Sequence, residues 1–221
     1  MTIAEQTQSL AESQAAAPAD DVMSAFAREQ AALAGLEPVG VIAVGTTLTD
    51  AELLDPRGQA TTLSAALGGR RGVLVFYRGA WCPYCNIALK AYREQLHPTL
   101  VDRDVALIAV SPQRPDGSLS MQEKNDLPFP VLSDPGNALA GELGILMPAR
   151  SDDVRAAQEK LGLRLEDVNA DGTETLPLPT VVLLDADNRI AWIDVHPDYT
   201  TRTEVIDILA AVDSSLQTSG A

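Results

Sequence analysis

Four apolar runs set the hydrophobic pattern of the chain. "GVLVFYRG" (residues 72–79) and "VALIAVSP" (residues 105–112) are continuous apolar segments that end at Gly or at Ser-Pro, which is typical of strands buried on both faces. "FPVLSD" predicts a third, shorter strand. "LPTVVLLDADNRIAWIDV" (residues 178–195) predicts a hairpin of two apolar strands with its turn at residues 185–189.

Amphipathic and polar segments between these runs predict helices. "YCNIALKAYREQLHP" predicts a helix that stops at Pro98, and the last helix is expected to start near Thr201, where Thr201 and Glu204 fit a capping box. "SDDVRAAQEKLGLRLEDV" predicts a polar helix in an insertion. This order indicates an α/β sandwich, a mixed sheet with helices on both faces, in which the first half supplies parallel strands and the second half an antiparallel hairpin.

The N-terminal region has a different pattern. Residues 1 to about 20 predict a loose tail or a frayed helix. "DDVMSAFAREQAALAGLEP" then predicts an amphipathic helix that ends near Gly35 and Pro38. We therefore divide the chain into an N-terminal tail and helix (residues 1–39) and one main domain (residues 40–221). The helix is expected to pack on that domain, and a homodimer contact is the less favoured alternative.

Composition and charge narrow the function classes. The formal net charge of −15 over 221 residues argues against a nucleic-acid partner, since a polyphosphate would be repelled. No apolar run approaches the ~20 residues that a membrane helix needs, and the N-terminus does not resemble a secretory signal. These observations predict a cytoplasmic protein with no membrane partner, in which two cysteines are more often reactive or metal-binding than a permanent bridge.

The two cysteines of the chain, Cys82 and Cys85, lie in "AWCPYC", directly after a predicted buried strand. Pro83 then falls at the first helical position, where its missing N–H costs nothing. Both thiols therefore lie at a helix N-terminus, whose positive field lowers a thiol pKa. Their spacing also allows a disulfide between them. The exposure of a helix terminus predicts that Cys82 is the more accessible thiol.

A metal site and a packing accident are the alternatives to a redox pair. A zinc site needs about four ligands, and only His97 and His196 could join the cysteines. His97 follows Cys85 by twelve residues on the same predicted helix, which is about 18 Å, and His196 would be a lone third ligand. Inert core cysteines would be scattered rather than paired at a strand-to-helix junction. Redox chemistry is therefore favoured, with no metal or cofactor.

"VLVFYRGAWCPYCNIALKAY" resembles the thioredoxin superfamily, and within it a peroxiredoxin-like branch of the alkyl hydroperoxide reductase/thiol-specific antioxidant family. "AELLDPRGQATTLSAAL" before it looks like the first hairpin of peroxiredoxins, and "FPVLSDPGNALAGELGI" after it is similar to a later strand and helix of the family. The resemblance covers residues 40 to 212. It implies a thioredoxin-like fold of the peroxiredoxin type.

The chain departs from this family at its motif. Peroxiredoxins carry Pro-x-x-x-Thr-x-x-Cys, whose last residue attacks the peroxide. Aligning Cys85 with that cysteine places Cys82 at the Thr position and Arg78 at the Pro position. A later family arginine is expected just before "VVLLD", where this chain has Leu-Pro-Thr (residues 178–180). This resembles the thioredoxin pattern instead and implies a cis Pro179 beside the disulfide.

The neighbours of the cysteines are candidate supporting residues. Arg78 could stabilise a thiolate or a peroxide oxygen, or be a surface cation. Trp81 could form a docking face, as the resemblance implies, or pack over the loop. Tyr84 is expected to modulate thiol exposure, and Pro83 and Thr180 complete the supporting set. A later polar cluster is assigned to capping and turn chemistry, with a functional role as the less favoured alternative: His196, Asp198, Tyr199 and Arg202.

Three functions are compatible with these residues. The leading hypothesis is a peroxiredoxin-like peroxidase that reduces hydroperoxides through a Cys82–Cys85 disulfide, recycled by thioredoxin or a low-molecular-weight thiol. Which thiol attacks first is left open. The absent later arginine favours the second hypothesis, a protein disulfide reductase without useful peroxidase activity. The third is a binding module whose partner contact responds to the disulfide.

Overall fold

The protein is described from a computed structural model that covers residues 1–15 and 21–218. Its sheet has seven strands: β1 (Glu52–Leu54), β2 (Ala60–Thr62), β3 (Gly72–Phe76), β4 (Ala106–Ser111), β5 (Val131–Ser133), β6 (Thr180–Leu184) and β7 (Ile190–Val195). Their spatial order is β2-β1-β5-β4-β3-β6-β7. The centre of the sheet is therefore made by the apolar runs that predicted it.

The helices surround this sheet. They are α1 (Ile3–Ala15), α2 (Asp21–Ala34), α3 (Leu63–Leu67), α4 (Pro83–Ala91), α5 (His97–Asp102), α6 (Pro115–Lys124), α7 (Ala138–Glu142), α8 (Asp152–Lys160), α9 (Leu165–Val168) and α10 (Val205–Thr218). A π-helical turn (Tyr92–Leu96) joins α4 to α5, and a 3-10 turn (Pro135–Asn137) precedes α7. Within residues 1–15 and 21–218, no helix has the length and apolar character to cross a membrane.

The core lies on both faces of the sheet. Every residue of β3, β4 and β6 is buried, because alternate side chains of each strand enter one of two hydrophobic clusters. Side chains of α4 and α10 belong to one cluster, and side chains of α3 and α7 belong to the other. The predicted fold class, a mixed sheet with helices on both faces, is confirmed.

Strand direction decides which loops meet. Strand β6 pairs antiparallel with β3, and β7 pairs antiparallel with β6, so β3 and β7 run in the same direction. Phe76, Thr180 and Val195 lie side by side in this pairing. The segments that follow β3 and β7 therefore leave the sheet at the same edge.

The helix after the cysteines does not stop at Pro98, as the sequence predicted. It continues to Asp102 because the π-helical turn resets the hydrogen-bond pattern, with the His97 N–H donating to the Tyr92 carbonyl oxygen. Pro98 then lies in the first turn of α5, where a backbone N–H is not needed.

The predicted capping box at Thr201 is also wrong, because α10 begins four residues later. The Glu204 carboxylate turns away from its own helix and accepts the backbone N–H groups of Ile3 and Ala4, at 3.1 and 2.7 Å. It therefore caps α1, whose first N–H groups would otherwise lack a partner. The C-terminal region is thus tied directly to the N-terminus.

The N-terminal helices pack on the rest of the chain. Ile3 is buried in the same cluster as the side chains of α4, and α1 lies against α4. Ala25 of α2 packs with Val154 and Ala157 of the inserted α8. The structure thus places residues 3–15 in a helix, residues 16–20 lie outside the described part, and the proposed division after residue 39 stays a prediction.

Candidate active site

The two cysteines lie in a buried turn between β3 and α4. We call residues 79–85 the thiol turn. Cys82 is the N-cap of α4, Pro83 is its first residue, and Cys85 follows in the first turn. Both thiols are free, with 1 % of Cys82 and 0 % of Cys85 exposed. The expected accessibility of Cys82 is therefore wrong, because α1 packs over α4 and encloses this turn.

Hydrogen bonds fix the shape of the thiol turn. The Gln113 side-chain oxygen accepts the Ala80 N–H at 2.6 Å, and the Asn86 amide donates to the carbonyl oxygens of Ala80 and Cys82 at 2.9 and 2.8 Å. Gly79 has a φ of +155°, and a Cβ there would lie 2.3 Å from the Trp81 indole nitrogen. The turn thus needs glycine at position 79 so that the indole can lie against the backbone.

Arg202 contacts the second thiol directly. Its Nη2 donates to Cys85 Sγ at 3.1 Å, and its Nη1 donates to the Tyr199 carbonyl oxygen at 2.6 Å. Arg202 belongs to the stretch after β7, residues 196–204, which we call the arginine segment. This residue is 9 % exposed, so its charge acts on the sulfur with little screening by water.

The two thiols are driven to opposite protonation states. Burial raises the pKa of Cys82 well above its ordinary value, and the neighbouring Cys85 raises it further. Burial also opposes ionisation of Cys85. However, a hydrogen bond from Cys82, the charge of Arg202 and a backbone hydrogen bond from Arg78 together hold the pKa of Cys85 well below its ordinary value. The site therefore favours a Cys85 thiolate that accepts a hydrogen bond from a neutral Cys82.

Arg78 is a second buried cation at the site. It is 3 % exposed, and its guanidinium carbon lies 3.9 Å from the Tyr199 ring centroid and 5.0 Å from the Trp81 ring centroid. These are cation–π distances. Arg78 is therefore not the surface cation that the sequence offered as one alternative, and its charge lowers the pKa of both thiols.

Tyrosine hydroxyls join the site to the N-terminal helices. Tyr84 donates to Gln14 Oε1 of α1, and Tyr199 donates to Glu29 Oε2 of α2, each at 3.0 Å. The two tyrosine rings lie 6.4 Å apart. The aromatic cover over the cysteines is therefore shared by the thiol turn and the arginine segment.

The residues expected beside the disulfide take another conformation. The Leu178–Pro179 peptide bond is trans, so the predicted cis Pro179 is wrong. The physical reason is that this stretch extends the sheet: the Leu178 N–H donates to the Ile145 carbonyl oxygen, and the Pro179 carbonyl oxygen accepts from His196. Thr180 begins β6, and its hydroxyl donates to the Leu178 carbonyl oxygen.

Arg202 is the site residue that the sequence analysis missed, since it was assigned to turn chemistry. A signal was available in the predicted hairpin. Because β6 is antiparallel to β3 and β7 is antiparallel to β6, a residue after β7 lies at the same edge of the sheet as the cysteines after β3.

The part of the chain that the structure describes contains no cluster of three His, Cys, Asp or Glu side chains that could hold a metal ion.

This architecture, with a thiol pair at the carboxyl end of a central strand, defines a thioredoxin-fold protein of the peroxiredoxin type. A model of the AhpC/TSA family matches residues 44–193. The chain belongs to the AhpC/TSA family.

Individual relatives agree with this assignment. The chain is 31 % identical over 99 residues to peroxiredoxin Bcp of Bacillus subtilis (strain 168), a match that covers 45 % of this chain and 62 % of that protein. It thus spans less than two thirds of this relative. Peroxidoxin BcpB from Mycobacterium tuberculosis is similar in structure (TM-score 0.59, 20 % identity, 78 % of this chain and 97 % of that chain). So is a cysteine-to-serine mutant of peroxiredoxin 6 of Arenicola marina (TM-score 0.62, 21 % identity, 80 % and 75 %).

Proposed function

We propose that the protein is a thiol-dependent peroxidase that reduces hydroperoxides, with Cys85 as the attacking thiolate. One observation carries this proposal: Cys85 is hydrogen-bonded by both Cys82 and Arg202, and its pKa is held well below the ordinary value of a thiol. The thiolate is the nucleophilic form of cysteine. Membership of the AhpC/TSA family supports the same reaction class.

The first half of the proposed reaction consumes the peroxide. The Cys85 sulfur attacks one peroxide oxygen, so that an S–O bond forms while the O–O bond breaks. Cys85 is oxidised to a sulfenic acid, and the other oxygen leaves as an alcohol or water after taking up a proton. Arg202 and Arg78 stabilise the negative charge that passes from sulfur to the leaving oxygen.

The second half resets the site. The Cys82 sulfur attacks the sulfenic sulfur of Cys85, a disulfide forms, and the oxygen leaves as water. Thioredoxin or a low-molecular-weight thiol then reduces the disulfide by exchange and is itself oxidised. Cys82 and Cys85 lie one helical turn apart at the start of α4, which supports closure of this bond. No resident metal or cofactor takes part.

The alternative functions find less support. A thioredoxin-like disulfide reductase needs a nucleophilic first thiol, and the pKa of Cys82 is raised. In addition, Arg202 supplies a cation beside Cys85, so the absence of an arginine before β6 no longer favours that function. A binding module controlled by the disulfide would not need a thiolate of lowered pKa.

Stopped-flow oxidation of the reduced protein by hydrogen peroxide tests the proposal. We expect the parent chain and Cys82→Ser to react far faster than a free thiol, and Cys85→Ser to lose the reaction. Cys82→Ser should stop at a sulfenic acid that a dimedone probe labels at Cys85. A parent rate no faster than that of a free thiol would reject the peroxidase, and reduction of insulin disulfides in its place would support the reductase.

A further inference from the structure

Arg202 lies between two threonines that reach one histidine–aspartate pair. His196 Nδ1 lies 2.7 Å from Thr201 Oγ1, and His196 Nε2 lies 3.0 Å from Asp194 Oδ2. Thr203 Oγ1 donates to the same Asp194 oxygen at 2.8 Å. These hydrogen bonds link Thr201, His196, Asp194 and Thr203 in that order. We call this network the bracket, since its two ends are the neighbours of Arg202 in the chain.

Asp194 fixes two donors of the bracket. An ionised Asp194 can only accept, so it accepts from His196 Nε2 and from the Thr203 hydroxyl. The hydrogen bond from His196 and that from Thr203 lower the pKa of Asp194 against the effect of burial, which keeps the carboxylate charged. The Thr201 hydroxyl donates to the Asp198 carbonyl oxygen at 2.9 Å, so the bracket holds the turn at residues 198–201 as well.

The backbone held by the bracket directs the guanidinium. Arg202 Nη1 donates to the carbonyl oxygens of Tyr199 and Thr201, at 2.6 and 2.5 Å. These two acceptors orient the planar group so that Nη2 points at Cys85. A shift of the backbone at residues 199–203 would therefore move the cation relative to the sulfur.

We propose that Asp194 and His196 are positioning residues, which act through Arg202 to place its guanidinium on Cys85. Neither residue contacts the sulfur in the hydrogen-bond network, and both lie outside the thiol turn. Charged groups near the bracket include Asp198, Arg202 and Glu204 on its own segment. Arg71 and Asp207 line the same cavity as Asp194. The inference rests on the proposed role of Cys85 as the reacting thiolate, but it concerns how that thiolate is held and can be tested without peroxide.

The test is a titration of the thiolate by its absorbance near 240 nm in a Cys82→Ser background, where a single thiol remains. We expect His196→Leu to raise the midpoint of Cys85 ionisation by about half a pH unit to one pH unit, because the charge interaction weakens with distance. His97→Leu is the matched control. It changes the other histidine of the chain, which begins α5 and packs on Phe129 before β5, and it should leave the midpoint unchanged.

A double-mutant cycle separates positioning from a general loss of structure. If His196 acts through Arg202, His196→Leu should have no further effect on the Cys85 midpoint in an Arg202→Met protein. An equal shift with and without the arginine would overturn the proposal, and so would an unchanged midpoint in His196→Leu when Arg202→Met raises it.

A second variant keeps the test decisive if His196→Leu does not fold. Thr203→Val removes one hydroxyl of the bracket with little change of shape, and it should raise the midpoint in the same Arg202-dependent manner. The peroxidase can fail independently. An Arg202-dependent shift in a protein that does not react with peroxide would support the positioning pair and reject the proposed function, whereas fast peroxide reaction with no shift would do the reverse.

Discussion

The thiol turn and the arginine segment contribute opposite halves of one site. The thiol turn holds its chemistry in a short motif, with two cysteines at the start of α4. The arginine segment follows β7, more than a hundred residues later, and has no recognisable motif around Arg202. They meet because β3 and β7 run in the same direction. The nucleophile is thus a local feature of the sequence, while its activation depends on the topology of the sheet.

Removing Arg202 should have the largest effect on the reactivity of Cys85, since it changes the arginine segment and leaves the thiol turn intact. We expect Arg202→Met to raise the pKa of Cys85 and slow its oxidation by hydrogen peroxide about 10- to 100-fold, because a hydrogen bond to a charged group contributes about 1.5–3 kcal/mol. Stopped-flow rates at several pH values would measure both effects.

The control for this change is Arg57→Met, in the exposed turn before β2, which should react like the parent chain. If Arg202→Met oxidises at the parental rate with an unchanged pH profile, the thiol turn activates its cysteine alone, and the arginine segment has only a structural role.

The contrast between local motif and sheet topology explains which features of the fold and the site could be predicted from the sequence. The continuous apolar runs of β3, β4 and β6 identified the sheet, and the position of the Cys82–Cys85 pair directly after one of them identified the turn between strand and helix, because both are local patterns. Both thiols are buried in a cluster that includes Ile3 of α1, a helix from a distant part of the chain that packs on α4. No local pattern carries that information.

Two errors have the same origin. The spacing of Thr201 and Glu204 satisfies a capping box, yet Glu204 caps α1 instead, because tertiary contact overrides a local preference. Leu178-Pro179-Thr180 resembles a thioredoxin pattern, but its bond is trans and its backbone is hydrogen-bonded to Ile145 on one side and to His196 on the other. In both places the residue types were read correctly, and their partners came from distant parts of the chain.

A substitution at Gly79 should disturb the thiol turn and leave the arginine segment intact. Gly79→Ala brings a Cβ to 2.3 Å from the Trp81 indole nitrogen at a φ that favours glycine. We expect the free energy of unfolding to fall by about 1–3 kcal/mol, as overpacked sites show. Urea denaturation would measure it.

Gly35→Ala is the matched control, since nothing lies within 4 Å of the added atom, and it should change stability by no more than about 0.5 kcal/mol. An equally small effect of Gly79→Ala would mean that the thiol turn rearranges easily and that its shape does not depend on this glycine.

The pH dependence of stability sharpens the comparison further. The pKa of Cys85 is lowered on folding, so the folded chain binds fewer protons than the unfolded chain between the two pKa values. The contribution of Cys85 is therefore complete above the unfolded pKa of about 8.5 and is lost as the pH falls through the folded pKa. In a Cys82→Ser background, we expect the stability advantage of Cys85 over Cys85→Ser to grow with pH in this window, by up to about 1.4 kcal/mol per pH unit.

Denaturation curves at a series of pH values would show this slope. Arg202→Met should narrow the pH range over which it appears, because one of the two charges that lower the Cys85 pKa is gone. A stability difference that is constant with pH, or one that shrinks as the pH rises, would contradict a thiolate at Cys85.

Two tyrosines tie the thiol turn and the arginine segment to N-terminal helices, and the smallest effect is expected at one of them, Tyr84. Tyr84→Phe removes a neutral hydrogen bond to Gln14, which should cost about 0.5–1.5 kcal/mol. Tyr199→Phe removes the donor to Glu29, whose other carboxylate oxygen is buried with no hydrogen-bond partner among the described residues. The loss of stability in Tyr199→Phe should be larger, about 1–3 kcal/mol, because a buried charged acceptor is left unsatisfied.

Both variants keep the aromatic ring, so the stacking of Tyr199 on Arg78 is preserved. Equal losses in urea denaturation would show that Glu29 finds another donor and that α2 is held no more firmly by the arginine segment than α1 is by the thiol turn.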